Sequence, residues 1–266
     1  MSRVFFHFLA QGALGLLATL TLVPARAGKR FFKFCSGTAV FMITAALWLL
    51  WRRFGSRGGS GAPGGEDYPL LLAAWTAALV LSVLYNRAHH FGWHQARGPL
   101  LAGALAAGLI GIWLGATPGS RWLLVATDLT SALLLGAAAS AMILGHWYLV
   151  VLDLPILALR RLTVLLVVAL VLRTLVVALA LAGPARAGYE GLSAVAHGLW
   201  SPDGVFIWMR LLFGLVGPLS LLWFIWKTVE IRSTQSATGI LYVQLFLVLA
   251  GELLAKYLRV AAGVPL

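Results

Sequence analysis

The chain is written as long apolar runs separated by short polar clusters. Eight runs stand out: Val4 to Pro24, Phe34 to Trp51, Leu70 to Tyr85, Gly98 to Ala116, Trp122 to Val150, Leu162 to Leu181, Val205 to Trp226, and Thr238 to Leu258. Most reach the roughly 18 residues that a helix needs to cross about 30 Å of hydrocarbon. Membrane strands would instead alternate apolar and polar positions over segments of about ten residues, and that pattern is absent. The pattern predicts an all-α fold, a polytopic transmembrane helical bundle of about eight spans. It is read as one integral membrane domain, 1–266.

The polar clusters predict where the spans stop. Arg26, Lys29, Arg30 and Lys33 follow the first run, and Arg52 and Arg53 close the second. The glycine-rich stretch 54–66 then reads as a flexible connector with no means of packing a core. Asp153 and Pro155 break the fifth run, and Gly217-Pro218 is a kink signal in the seventh. The segment Pro184 to Gly204 has room for a short interfacial helix around His197. Ala25-Arg26-Ala27 resembles a signal-peptide cleavage site, but the first run is read as a retained helix. Its patch Ala10-Gln11-Gly12-Ala13-Leu14-Gly15 would let a neighbouring helix come close.

Composition agrees with the pattern. Hydrophobic residues make up 61% of the 266, charged residues only 11%, and mean hydropathy is +0.93, whereas a soluble domain carries about 25% charge. The formal charge of +12 would point to nucleic acid in a soluble protein. Here Lys and Arg cap spans and meet lipid headgroups, so no nucleic-acid partner is expected. The basic residues of loops 1–2, 3–4, 5–6 and 7–8 outnumber those opposite, ten against eight. That count favours these loops as cytoplasmic and both termini as external. Cys35 is the only cysteine, which excludes an intrachain disulfide and a cysteine-held iron–sulfur cluster within the chain.

Asp128, Arg173, Arg210 and Glu252 make up the intramembrane ionisable set. A charge at membrane depth is costly and marks a functional-site candidate with a partner to be found. Pairing, for example Arg210 with Glu252 on adjacent helices, would lower that cost. A quinol or proton site, in which the carboxylate accepts a proton from a bound hydroxyl, is the functional alternative.

The histidines form a second set. His89, His90 and His94 crowd into the polar stretch after the third run, and His146 stands near the end of the fifth. If that stretch is helical, His90 and His94 share a face. Interfacial hydrogen bonding, quinone headgroup donation and haem b ligation with His7 or His146 all use such residues; haem b and other metals rank below hydrogen bonding. No phosphate-cradling loop, HExxH or GxSxG motif occurs, and matching inverted halves with broken helices are not evident.

The last run contains LVLAGELLAK, Leu247 to Lys256, and the first contains FLAQGALGLLATL, Phe8 to Leu20. These two stretches resemble the terminal spans of the dimethyl-sulfoxide-reductase/polysulfide-reductase membrane-anchor subunit family, with Gln11 and Glu252 at the matching positions. The resemblance implies a haem-free eight-helix anchor that binds quinol. It would pass electrons to an iron–sulfur subunit attached to a molybdenum-containing catalytic chain. The leading expectation is thus a membrane-anchor subunit of a multi-subunit respiratory complex in a bacterial inner membrane. Quinone would be its cofactor, and its partners would be lipid, other membrane subunits and an iron–sulfur or cytochrome redox subunit. A structural packing subunit, a small-solute or proton-coupled transporter and a b-haem subunit are the rivals.

Overall fold

The computed structural model describes residues 1–54, 67–116, 121–151, 154, 156–182, 200 and 204–261. The expected connector (from 55 on), the break at Asp153 and Pro155, and the expected interfacial helix around His197 lie outside the described residues. The eight expected spans are all helical: α1 (Ser2–Thr19), α2 (Gly28–Phe54), α3 (Tyr68–Phe91), α4 (Arg97–Gly115), α5 (Arg121–Val150), α6 (Leu157–Ala182), α7 (Gly204–Glu230) and α8 (Thr234–Ala261). No strand occurs among the described residues. Each helix is long and apolar enough to cross a bilayer, so the chain is a multi-pass membrane protein. Helices are the form that satisfies every backbone polar group within a single segment in hydrocarbon. Their hydroxyls follow the same rule. Ser36, Ser82, Thr163 and Thr174 each donate to the carbonyl four residues back, at 2.7–2.9 Å.

α1 and α5 form the centre. Two thirds of each is buried, against 33–39% of the other spans. α2, α3 and α4 pack in succession on one side; α6, α7 and α8 pack on the other. The α1–α5 crossing is made by Gly15 and Gly136, whose backbones touch. A methyl group on either would collide with the other helix, so the small-residue patch in α1 brings helices together as van der Waals-driven packing in membranes requires. Just beyond it, the Thr19 and Ser140 hydroxyls bond to each other across the same interface.

Most spans outrun their expected limits, α2 and α3 by the widest margin. α2 starts at Gly28, which puts Lys29, Arg30 and Lys33 in its first turns rather than in a loop. α3 runs on to Phe91 and is stopped by Gly92 in the left-handed region, φ 77°, with the Trp93 N–H closing onto Ala88 O at 3.0 Å. Only a residue without Cβ takes that conformation cheaply. His89 and His90 are therefore helical and His94 is past the stop, so His90 and His94 do not share a helix face. In α7 the kink expected at Gly217-Pro218 takes the form of a π-helical turn, Leu212–Val216. Pro218 has no N–H to give, and its ring crowds the carbonyl four residues before it. Widening the preceding turn relieves both.

Candidate functional site

The alternation of direction along eight spans sets the depth of each residue. The N-terminal ends of α1, α5 and α7 and the C-terminal ends of α6 and α8 share one face of the bundle. All four intramembrane ionisable residues lie in the half nearest that face, and the fold brings them together. Glu252 Oε1 accepts from Arg173 Nε at 2.9 Å and Arg210 Nη2 at 3.2 Å. Its Oε2 accepts from Ser131 Oγ at 2.6 Å and Arg173 Nη2 at 3.2 Å. Lys256 Nζ donates to Ser131 Oγ at 2.9 Å and stands 3.6 Å from Glu252 Oε2 and 3.9 Å from Asp128 Oδ1. Arg259 donates to Asp128. Glu252, Arg173 and Arg210 are fully buried.

The local sequence explains how four helices meet here. In α7 the π-turn places Gly214 directly against Gly251 of α8, backbone to backbone, and the Arg210 guanidinium lies over both glycines. Larger residues at either position would push Arg210 away from Glu252. The Arg173 fork meets both oxygens of the carboxylate, the bidentate arrangement that its planar group suits. Two carboxylates, Asp128 and Glu252, are matched by four cations, Arg173, Arg210, Lys256 and Arg259. The cluster thus carries a surplus of positive charge. Both Glu252 oxygens are taken up by N–H and O–H donors, a geometry suited to clasping α5, α6, α7 and α8 together.

Lys256 and Arg259 are two of the eight basic residues counted in the sequence on the side opposite loops 1–2, 3–4, 5–6 and 7–8. They fold inward instead, one and two turns beyond Glu252 on the same face of α8, a spacing that the sequence does contain. Arg210 keeps Nε and Nη1 without a hydrogen-bond partner. The carboxamides of Gln11 and Gln244, both buried, likewise have neither atom bonded. Gln11 lies one turn from Gly15 and, like it, belongs to the buried interior of α1.

The opposite half of the bundle holds a cavity of about 500 Å³ between the α1–α2 pair and the α5–α8 pair. Its walls are apolar: Phe8, Gly12 and Leu16 from α1, Met42 from α2, Leu135 and Ala139 from α5, and Leu245 and Leu249 from α8. At the end nearest the membrane interface stand Phe34, Trp147, His146 and Tyr242. Tyr242 Oη and His146 Nδ1 are 3.3 Å apart and both side chains are exposed. Nothing in the sequence marks Tyr242, because a tyrosine at a span end reads as a belt anchor.

The described histidines do not converge. His146 lines this cavity, while His89 is buried between α2 and α3, stacked on Phe32 at 5.1 Å and edge-on to Tyr85 at 4.9 Å. Neither of its ring nitrogens is hydrogen-bonded. His90 and His94 are exposed. His7, near the start of α1, is at the opposite end of the bundle from His146. Among the described residues no three His, Cys, Asp or Glu side chains gather as a metal site would need. Comparison with family models, with curated proteins and with solved structures gives no match.

Proposed function

We propose that this chain is the membrane-anchor subunit of a multi-subunit electron-transfer complex in a bacterial inner membrane, and that it takes a quinone from the bilayer into the cavity between α1, α2, α5 and α8. The observation that carries the reading is the pairing of a laterally placed apolar cavity with the single His146–Tyr242 couple at its interfacial end. Ligand sites are mostly apolar with a few placed polar groups. A quinone has that division of character, an isoprenoid tail for the aliphatic walls and a ring oxygen for the donor pair. His146 is one of the headgroup donors expected from sequence; Tyr242 joins it. His89, His90 and His94 lie away from the cavity and have no part in this reading.

The Glu252 cluster has the supporting role. By holding α5 and α8 to α6 and α7, it keeps two of the cavity walls in register. The likeness of the first and last spans to the anchor subunits named above is consistent with this, since Gln11 and Glu252 both sit in the buried interior. Electrons would pass to an iron–sulfur or cytochrome partner. Moving Lys256 and Arg259 into the bundle leaves Arg3, Arg52, Arg53 and Arg121 as the described basic residues at the ends on the clasp side; Arg57 and Arg186 lie outside the described residues. The ten basic residues opposite then put the cavity end at the cytoplasmic side.

The test is to purify the protein gently, extract and identify bound quinone, record a reduced-minus-oxidised spectrum and identify what copurifies. Near-stoichiometric quinone that falls when His146 and Tyr242 are replaced, together with a redox-active partner, is the expected result. A quinone-free preparation with no redox partner would overturn the reading, as would a b-type haem retained by the isolated chain.

A further inference from the structure

Away from both features, the start of α6 carries a second ligand-shaped surface. A groove of about 430 Å³ runs between the end of α1 and the first turns of α6, lined by Leu22, Leu157, Arg160, Arg161, Val164, Leu165 and Val168. On the other side of the same helix end, a crevice of about 240 Å³ is lined by Ile156, Arg160, Trp226, Val229, Glu230 and Arg232. Arg160 borders both, and its guanidinium lies 5.5 Å from the centre of the Trp226 ring. We infer that this surface is a specific site for an anionic phospholipid, with the headgroup phosphate at Arg160, Arg161 and Arg232 and an acyl chain along the α1–α6 groove.

Three observations converge on that occupant. Charge comes first. Arg160, Arg161 and Arg232 are exposed at one depth, and the one carboxylate of the crevice, Glu230, is matched by Lys227 at 2.9 Å. The start of α6 adds the partial positive charge of a helix N-terminus. Shape comes second. Val164, Leu165 and Val168 extend from the arginines toward mid-membrane along one helix, giving a phosphate-level head and a hydrocarbon-level trough in the order a lipid presents them. Position comes third. Trp226 sits against Arg160, as belt residues do at headgroup depth, and the face is the one with the larger basic count, where anionic lipids attract basic residues. A protein partner would have no reason to place aliphatic trough and phosphate donors in that sequence. The inference is independent of the quinone proposal, since no residue is shared with the cavity.

The experiment uses the full chain in nanodiscs of phosphatidylcholine containing phosphatidylglycerol, followed by detergent release and native mass spectrometry. The wild-type chain is expected to retain phosphatidylglycerol over phosphatidylcholine. The R160Q/R161Q variant should lose that preference by about tenfold or more, taking the attraction of each basic residue for an anionic surface as the guide. These side chains are exposed, so folding should survive; R232Q and the groove-filling Val164→Trp provide independent arms. Glu230→Gln, which removes the opposing charge, should raise retention. Equal retention of the two lipids by the wild type would overturn the inference. So would a preference that persists unchanged through R160Q/R161Q, R232Q and Val164→Trp.

Discussion

α5 and α8 carry two regions of opposite character one turn apart. Ser131 of α5 and Glu252 of α8 belong to a closed, charged clasp; Leu135 of α5 and Leu249 of α8 line an apolar cavity. The clasp spends membrane-buried charge and leaves little space. The cavity uses no charge and leaves about 500 Å³. Their difference separates two duties that a single buried carboxylate can be asked to perform. Glu252 accepts from Ser131 and two arginines, which suits a group that fixes helices. The cavity has few polar groups and they stand at its rim, which suits binding. The proposal above divides the two duties accordingly, a structural one for the clasp and a ligand-holding one for the cavity, on the same two helices.

The largest effect should come from breaking the clasp. Glu252→Gln leaves Arg173, Arg210 and Lys256 buried without their shared counter-charge, and removing one partner of a buried ion pair costs about 3–5 kcal/mol. Thermal unfolding in a mild detergent should show a much lower Tm. Replacing Arg173 and Arg210 by Met in the same chain should recover part of the loss, since the uncompensated charge is then gone. If Glu252→Gln instead keeps wild-type stability while turnover of the assembled complex collapses, the carboxylate has a chemical task and the division between the two regions fails.

Next in size is the backbone contact that builds the clasp. Gly251→Leu puts a side chain where Gly214 Cα and the Arg210 guanidinium now lie. Overpacking of this kind typically costs about 1–3 kcal/mol, here with loss of the Arg210–Glu252 bond as well. The same substitution at Gly239, where nothing lies near a Cβ, should be close to neutral. A Tm equal for the two variants would show that α7 and α8 do not depend on the glycine contact.

A third substitution acts on the cavity. Ala139→Leu fills part of the space and should change stability by less than about 1 kcal/mol, because added apolar atoms enter room that already exists. Bound quinone should fall sharply. A variant that binds quinone as before would place the ligand elsewhere.

These contrasts also explain what could be read from the chain beforehand. The eight spans were legible because hydrocarbon imposes run length, and residues from Leu70 to Tyr85 or Thr238 to Leu258 announce it without any tertiary information. The pairing of Arg210 with Glu252 was legible for a related reason, since a buried charge demands an opposite one. Lys256 was within reach, four residues after Glu252 and so on one helix face. Its nearness to the end of the run counts it among the interfacial charges, whereas its partners are Ser131 and Asp128 across on α5 and Glu252 on its own helix. Tyr242 and the cavity were not legible. Empty volume depends on how α1–α2 and α5–α8 are spaced, and no residue type reports that. The crowding of the histidines in sequence likewise says little about their places in space: the face of α3 that packs on α2 carries His89 inward against Phe32, and the left-handed turn at Gly92 leaves His94 past the helix end.

The smallest stability effect, and the sharpest separation of the two regions, is expected from Tyr242→Phe. The hydroxyl lies 3.3 Å from His146 Nδ1 at an exposed rim, where headgroups and water replace a lost partner, so the folded state should change by no more than about 0.5 kcal/mol. Ligand binding should respond more. One hydrogen bond to a quinone oxygen is worth about 0.5–1.5 kcal/mol net, so occupancy measured by extraction should weaken about 2- to 10-fold. His146→Gln, which keeps a hydrogen-bonding group near the same point, should lose less than His146→Ala. If Tyr242→Phe and both His146 variants leave quinone content untouched while Ala139→Leu removes it, the cavity holds the tail and the ring lies beyond its rim. If all four leave it untouched, the cavity is a packing space alone, and the clasp becomes the more economical account of why this bundle is built as it is.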